Sequence, residues 1–255
     1  MKRSIRIDFH AHILPGLDHG CEDVGVACRQ LELAAQQKID VVVATSHFYP
    51  HLHTVESYLR KRTEAMQALK MQWKVYQSMV PSSKAERQSA PKVLAGAEVL
   101  ACAGIERMEG LQRLCIEGTR VLLLELPFAK QQEAALIASV CRIQQECGIQ
   151  VVLAHAERYS YRTVMELVEA GILVQLNTAS ICSLRKNRLC RQYRKAGCVA
   201  ALGSDIHGID KKYRSFAKAL KRLGGAAEEI MKRTEQLLLQ NGGRDEEGKC
   251  DCTGI

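Results

Sequence analysis

The hydrophobic pattern alternates between short aliphatic runs and longer stretches of helical period. Runs suited to buried parallel strands fall near residues 4–9, 41–46, 92–97, 120–124, 149–154, 172–177 and 198–203. Between most of them the apolar residues recur at helical spacing. Asp23 can cap VGVACRQLELAAQQ, and KQQEAALIASVCRIQQECG and YRTVMELVEAG each close on a glycine fit for a helix C-terminus. The segment from Val55 to about Val80 reads as one long helix or two, Pro81–Pro91 as an exposed connection, and Glu228–Gln240 as a terminal helix. Strands alternating with helices predict βαβ units and a parallel sheet. Seven strands predict a distorted, TIM-like α/β barrel. An open doubly wound sheet would gather ligands around one crevice instead of from six strands.

The strands stop on ionisable residues. RSIRIDF gives way to His10 and His12, VVVATS to His47, KVLAGA to Glu98 and RVLLL to Glu125. VVLA ends on His155, and CVAALGS on Asp205 and His207. Each of these residues taken alone reads as a packed histidine or an ordinary salt-bridge partner. Strand ends converge on one face of a barrel, however, so five of the eight histidines and three carboxylates are predicted to meet there. Burying so many ionisable groups together without cations costs several kcal/mol per group. Two or three divalent ions remove that cost, and mixed nitrogen and oxygen donors suit Mn, Fe or Zn. No cysteine joins the set, which argues against a closed structural zinc site. His51-Leu52-His53 repeats the H-x-H spacing but follows no such strand end.

At 255 residues and 47% hydrophobic content, the chain matches one barrel domain. It begins without the apolar stretch of a signal peptide and holds no run near the ~18 apolar residues that span a bilayer. A soluble, cytoplasmic protein without membrane insertion is expected. Eleven cysteines, odd in number and scattered, point to reduced, mostly buried thiols. Cys250-Asp251-Cys252 lies in a polar tail, residues 241–255, expected to be frayed. The net charge of +8 favours an anionic partner, and no nucleic-acid-binding motif accompanies it. Its densest stretch, Ser183–Lys195, reads as a solvated helix face or as an electropositive lip near the site. Cys182 and Arg188 match the C-x5-R spacing of cysteine-dependent phosphatases, but the intervening SLRKN lacks the glycines that let amides curl around phosphate.

The motifs DFHAHILPGLDHG, ATSHFYPH, GAEV, LLELPF, LAHAERY and GSDIHG, spread over about residues 7–215, resemble the PHP (polymerase and histidinol phosphatase) superfamily. The resemblance is strongest to its capsule-associated branch of bacterial metal-dependent protein-tyrosine phosphatases, the CpsB/YwqE type. It implies a single PHP domain over residues 1–240, built as a distorted seven-stranded barrel around three metal ions, with Mn²⁺ expected and Fe or Zn possible. One ion would be held by His10, His12, Glu98 and Asp205. A second would be held by Glu98, Glu125 and His155, and a third by His19, His47 and His207. His19 stands where the branch usually has Asp, Ser46 where it has the Pro of TPH, and Ala156 where it has the Pro of HPER. Arg158 is the implied phosphate clamp, suited by its planar fork. A family arginine after the SDxH motif has no clear match: Lys212 aligns, and Arg214 lies two residues on.

The activity implied is hydrolysis of phosphotyrosine on proteins by a metal-activated hydroxide. The expected partner is a membrane-associated tyrosine autokinase of capsule or exopolysaccharide export. Self-association is left open. Two other readings stand beside it. One keeps the metals and takes a small phosphate ester, such as histidinol phosphate or a nucleotide. The other is a non-catalytic scaffold stabilised by its ions.

Overall fold

A computed structural model describes residues 4–79, 91–129, 133–209 and 213–239. The first strand, β1 (Ile7–His12), is wholly buried. It leads through helix α1 (Val24–Gln36) to β2 (Val41–Ala44) and β3 (His47–Phe48). A single long helix, α2 (Val55–Met79), precedes β4 (Lys92–Ala95) and β5 (Glu98–Leu100). Then come β6 (Val121–Glu125), α3 (Ala134–Glu146), β7 (Gln150–Leu153), α4 (Tyr161–Glu169) and β8 (Leu173–Asn177). Helices α5 (Thr178–Cys182) and α6 (Asn187–Lys195) lead to β9 (Val199–Gly203) and β10 (Ile206–His207). Helices α7 (Arg214–Leu223) and α8 (Gly225–Leu239) close the described chain.

All strand pairs are parallel. They form two sheets, ordered β10-β1-β2-β4 and β3-β5-β6-β7-β8-β9. Among the described residues, seven strand runs account for ten strands, because three runs are interrupted: at Thr45-Ser46, at Gly96-Ala97 and at Ser204-Asp205. Each interrupted run contributes its first part to one sheet and its second part to the other. The pairing therefore passes around the seven runs in chain order and returns to β1 through β10, as two sheets and not as one unbroken ring.

The breaks are built from side chains. At the first, Thr45 Oγ1 accepts from the Ala11 amide, and Tyr58 Oη of α2 donates to the Ser46 carbonyl at 2.7 Å. At the second, the Arg62 guanidinium donates to the Gly96 carbonyl at 3.2 Å. At the third, Asp8 accepts from both the amide and the hydroxyl of Ser204, at 2.8 and 2.6 Å. Buried backbone groups that leave a ladder need such partners. Burial pushes the Asp8 carboxyl up to about 6, with the Ser204 hydrogen bonds pulling the other way.

Asp23 caps α1 as its sequence position suggested, accepting from the Val26 amide at 2.8 Å. Ala27, Leu31 and Ala34 of α1 share one helix face and pack in a cluster with Ala65, Leu69 and Trp73 of α2. Burial of a side chain the size of Leu31 or Leu69 is worth roughly 1.5–3 kcal/mol, so this outer layer holds the first strands in place. No helix among the described residues is long and apolar enough to cross a membrane. Lys212 and the polar tail beyond residue 240 lie outside the described residues.

Candidate metal centre

The strand register sets ligand-type residues side by side. His12 pairs with His207, and His47 with Glu98, across adjacent parallel strands. His10 and His12 lie within β1 and not past its end, two residues apart and hence on one face. His47, Glu98 and His207 stand on the short strands that resume after the breaks. Two further residues turn inward through left-handed backbone, His155 at φ 35° and Asp205 at φ 51°. Such conformations are uncommon for residues with a Cβ and concentrate at functional sites. Two glycines make room for the imidazoles: a Cβ on Gly203 would stand 2.5 Å from that of His10, and one on Gly20 would stand 2.2 Å from that of His12.

Glu98 is the hub. Its Oε2 lies 3.1 Å from His10 Nε2, 3.2 Å from His12 Nε2 and 3.1 Å from His47 Nδ1. Its Oε1 lies 2.8 Å from His155 Nε2. Glu125 approaches the same group, with Oε1 3.4 Å from His47 Nδ1 and Oε2 3.6 Å from His155 Nε2. Asp205 Oδ1 is 3.8 and 3.7 Å from the Nε2 atoms of His10 and His12, and 3.5 Å from His207 Nδ1. His19 is exposed, and its ring stacks on His47 at 5.0 Å and lies 4.8 Å from that of His207. All nine residues that the sequence nominated are therefore brought to one place.

Their grouping is more interleaved than three separate sets. Ligand atoms within 4.8 Å of one another occur for His10, His12 and Asp205, for His47, Glu98 and Glu125, and for His12, His47 and His207. His12 and His47 thus each belong to two groups.

The donor set fits divalent cations. Glu98 Oε2 and His47 Nδ1 are buried and have no hydrogen-bond partner, though they lie 3.1 Å apart. His10 Nε2 and His12 Nε2 face each other at 3.0 Å. Lone pairs converging this closely repel unless a positive charge stands among them. Without metal, protons take that role. Burial pushes His12 down, but Asp18 and Glu98 overcome it and hold the imidazolium up to about 10. His155 is likewise held at about 9 against burial, by Glu125 and Glu98. Burial would raise the carboxyls of Glu98 and Glu125, yet the surrounding imidazoles keep both below their ordinary range. Metal ions bind the neutral imidazole, so they displace these protons.

A second layer orients the ligands, and sequence reasoning passed over it. Asp18 Oδ2 accepts from His12 Nδ1 and from the His47 amide, both at 2.8 Å, and Oδ1 accepts from the Gly20 amide. Gln175 Oε1 lies 3.1 Å from His10 Nδ1 and accepts from the His155 amide at 2.7 Å. Its amide nitrogen donates to Asn177 Oδ1, and Asn177 Nδ2 donates in turn to Asp205 Oδ2 at 2.9 Å. Tyr159 Oη is 3.3 Å from His155 Nδ1. Partners of this kind fix the tautomer and angle of metal-ligating side chains.

Arg158 is exposed, with about a third of its side-chain surface accessible (35%), and its Nη2 donates to Asp205 Oδ2. Arg214 is exposed in the first turn of α7. His51 is exposed, and its ring meets that of Tyr49 and none in the Glu98 group. The Cys182 thiol contacts the Ser215 carbonyl, and burial raises its pKa, the reverse of what a thiolate nucleophile needs.

Comparison with known proteins agrees with this architecture. The tyrosine-protein phosphatase YwqE of Bacillus subtilis (strain 168) is 24% identical over 251 residues, which cover 92% of each chain. A chain from the crystal structures of YwqE from Bacillus subtilis and CpsB from Streptococcus pneumoniae, unique metal-dependent tyrosine phosphatases, matches with a TM-score of 0.75 at 20% identity, covering 92% of this chain and 95% of that one. A β-aspartyl dipeptidase from Fervidobacterium islandicum AW-1 shares the fold more distantly, with a TM-score of 0.52 at 11% identity over 94% of this chain and 76% of that one. The profile of one family, capsular polysaccharide synthesis, CpsB/CapC, matches residues 6–244, and the chain belongs to that family.

Proposed function

We propose that this protein is a metal-dependent phosphatase that hydrolyses phosphotyrosine on proteins. The observation that carries the reading is the buried Glu98 carboxylate, set within 3.2 Å of four imidazole nitrogens with one of its oxygens unbonded. His10, His12, Glu98 and Asp205 would hold one ion, Glu98, Glu125 and His155 a second, and His19, His47 and His207 a third, with His12 and His47 placed to be shared. Bound divalent ions, Mn²⁺ foremost, would supply a water whose pKa is lowered towards ~7 and positive charge for the phosphate oxygens.

The chain's own residues do the rest. Gln175 and Asp18 keep the coordinating faces of His10 and His12 turned toward Glu98. Arg158, whose Nη2 donates to Asp205 Oδ2 beside the cluster, would turn its fork to two phosphate oxygens. Lys212 and Arg214 bind the substrate's remaining negative charge. A tyrosyl leaving group, with a pKa near ~10, needs little protonation help, so the centre works without a buried general acid. The relatives named for tyrosine phosphatase activity and the capsule family support this substrate class. The finer partner is a membrane-associated tyrosine autokinase met at the cytoplasmic side.

The test is phosphate release from a phosphotyrosine peptide in Mn²⁺, compared with a panel of small esters. The parent chain is expected to favour the peptide, and His155→Ala and Arg158→Ala to lose turnover. Full activity in both variants defeats the assignment, and a strong preference for a small ester replaces the substrate.

A further inference from the structure

A cavity of about 190 Å³ lies between α6, α7 and α8, behind strand β8. Gln175 and Asn177 of that strand turn into the metal centre, so Leu176 between them turns outward, and it forms part of the cavity floor. Ile181, Leu223 and Ile230 complete an apolar base. The rim is of opposite character. Arg191 and Arg194 come from one face of α6, and Arg222 comes from the last turn of α7. All three are exposed, and among the described residues none has an ion pair. Among the described residues, Arg222 donates to the Cys182 carbonyl. No carboxylate among the described residues lines the cavity. Arg191 and Arg194 belong to the basic stretch Ser183–Lys195, which the sequence left between a solvated face and an electropositive lip.

Three guanidinium forks around a pocket with an apolar floor suit one ligand chemistry. A pocket of ~150 Å³ accommodates a benzene ring, so this one has room for an aromatic ring with polar groups at its mouth. Arginine forks bind phosphate oxygens in pairs. We infer that the cavity is a second, non-catalytic site for an aryl phosphate, which on the proposed function is a second phosphotyrosine of a multiply phosphorylated substrate. That last identification rests on the proposed function, whereas the site itself does not. The site would hold a multiply phosphorylated substrate on the protein while its other phosphotyrosines are presented to the centre.

Benzylphosphonate, an arylmethyl phosphonate that cannot be hydrolysed as an ester, separates binding from turnover. Calorimetric titration of the metal-loaded full chain is expected to show two sites. R191Q/R222Q, and separately L223W, which fills the floor without changing charge, are each expected to leave one. A single site in the parent chain overturns the inference. So does a second site that takes inorganic phosphate as tightly as benzylphosphonate, which would make it a plain anion site. On peptides, kcat/KM for a doubly phosphorylated tyrosine peptide is expected to exceed that for the singly phosphorylated one by about tenfold, and R191Q/R222Q to abolish the difference while leaving the single-site rate unchanged. Equal values in the parent overturn the substrate identification. A chain inert towards every phosphotyrosine peptide defeats the proposed function, and the titration still decides the cavity.

Discussion

Replacing Asp18 by alanine tests whether the layer behind the ligands governs metal affinity. Asp18 is not among the nine grouped side chains, and its side chain is only 4% exposed. It accepts three hydrogen bonds at 2.8 Å: from His12 Nδ1, from the His47 amide and from the Gly20 amide. Burial would raise its carboxyl, yet these donors hold it far below the ordinary range. Hydrogen bonds to a charged group are worth ~1.5–3 kcal/mol each, but relaxation and water recover part of that. The loss falls on His12 and His47, the two residues shared between ligand groups. Outer-layer partners of metal ligands typically cost 10–100-fold in affinity, or roughly 1.4–2.7 kcal/mol, and Asp18→Ala should fall in that range. Asp18→Asn keeps the shape but turns one acceptor into a donor, so it should lie between parent and alanine. Competition with a chromophoric chelator near neutral pH gives the dissociation constants. An Asp18→Ala protein that binds Mn²⁺ or Zn²⁺ as tightly as the parent would refute the reasoning.

Three other expectations follow from named contacts. Arg158→Ala should keep its full metal content while kcat on a phosphotyrosine peptide drops about 10²–10³-fold, as when a transition-state donor is removed; metal analysis alongside kinetics checks this, and metal loss would contradict it. Gln175→Leu leaves the buried His155 amide without its 2.7 Å acceptor, so the metal-free protein should lose about 1–3 kcal/mol in denaturant unfolding. In metal-free protein the raised His12 and His155 contribute stability that is complete below pH ~6.5, declines as pH rises and is gone above about 10, because the folded state binds the extra protons. Melting temperatures of chelated protein across that range should fall, while metal affinity, which requires those protons to leave, should rise.

Much of this arrangement was legible in the chain because strands carry their chemistry at their ends. The aliphatic runs located seven strand segments, and the H-x-H spacing of His10 and His12 placed two imidazoles on one face through the period of two. What could not be read was the interruption of three runs. VVVATSHF carries no glycine or proline at Thr45-Ser46, and the place where the ladder changes sheets is marked by contacts from elsewhere in the chain, the Ala11 amide and the Tyr58 hydroxyl arriving from α2. Gln175 and Asn177 were hidden inside an apolar run, LVQLN. Their spacing of two at a strand end is the same signal that exposed His10 and His12, and amides at such a place ask for a polar interior. Asp18 was passed over because it neighbours His19, and a loop carboxylate has no periodicity to betray it. The sharing of His12 and His47 between groups depends on strand register, which the order of residues along one strand does not specify.

Anomalous diffraction from a crystal of the Mn- or Zn-loaded chain addresses the Glu98-centred cluster most directly. Peaks are expected within about 2.0–2.3 Å of a Glu98 carboxylate oxygen and of the imidazoles of His10, His12, His47 and His155. A fully loaded protein whose peaks all lie away from Glu98 would contradict the account.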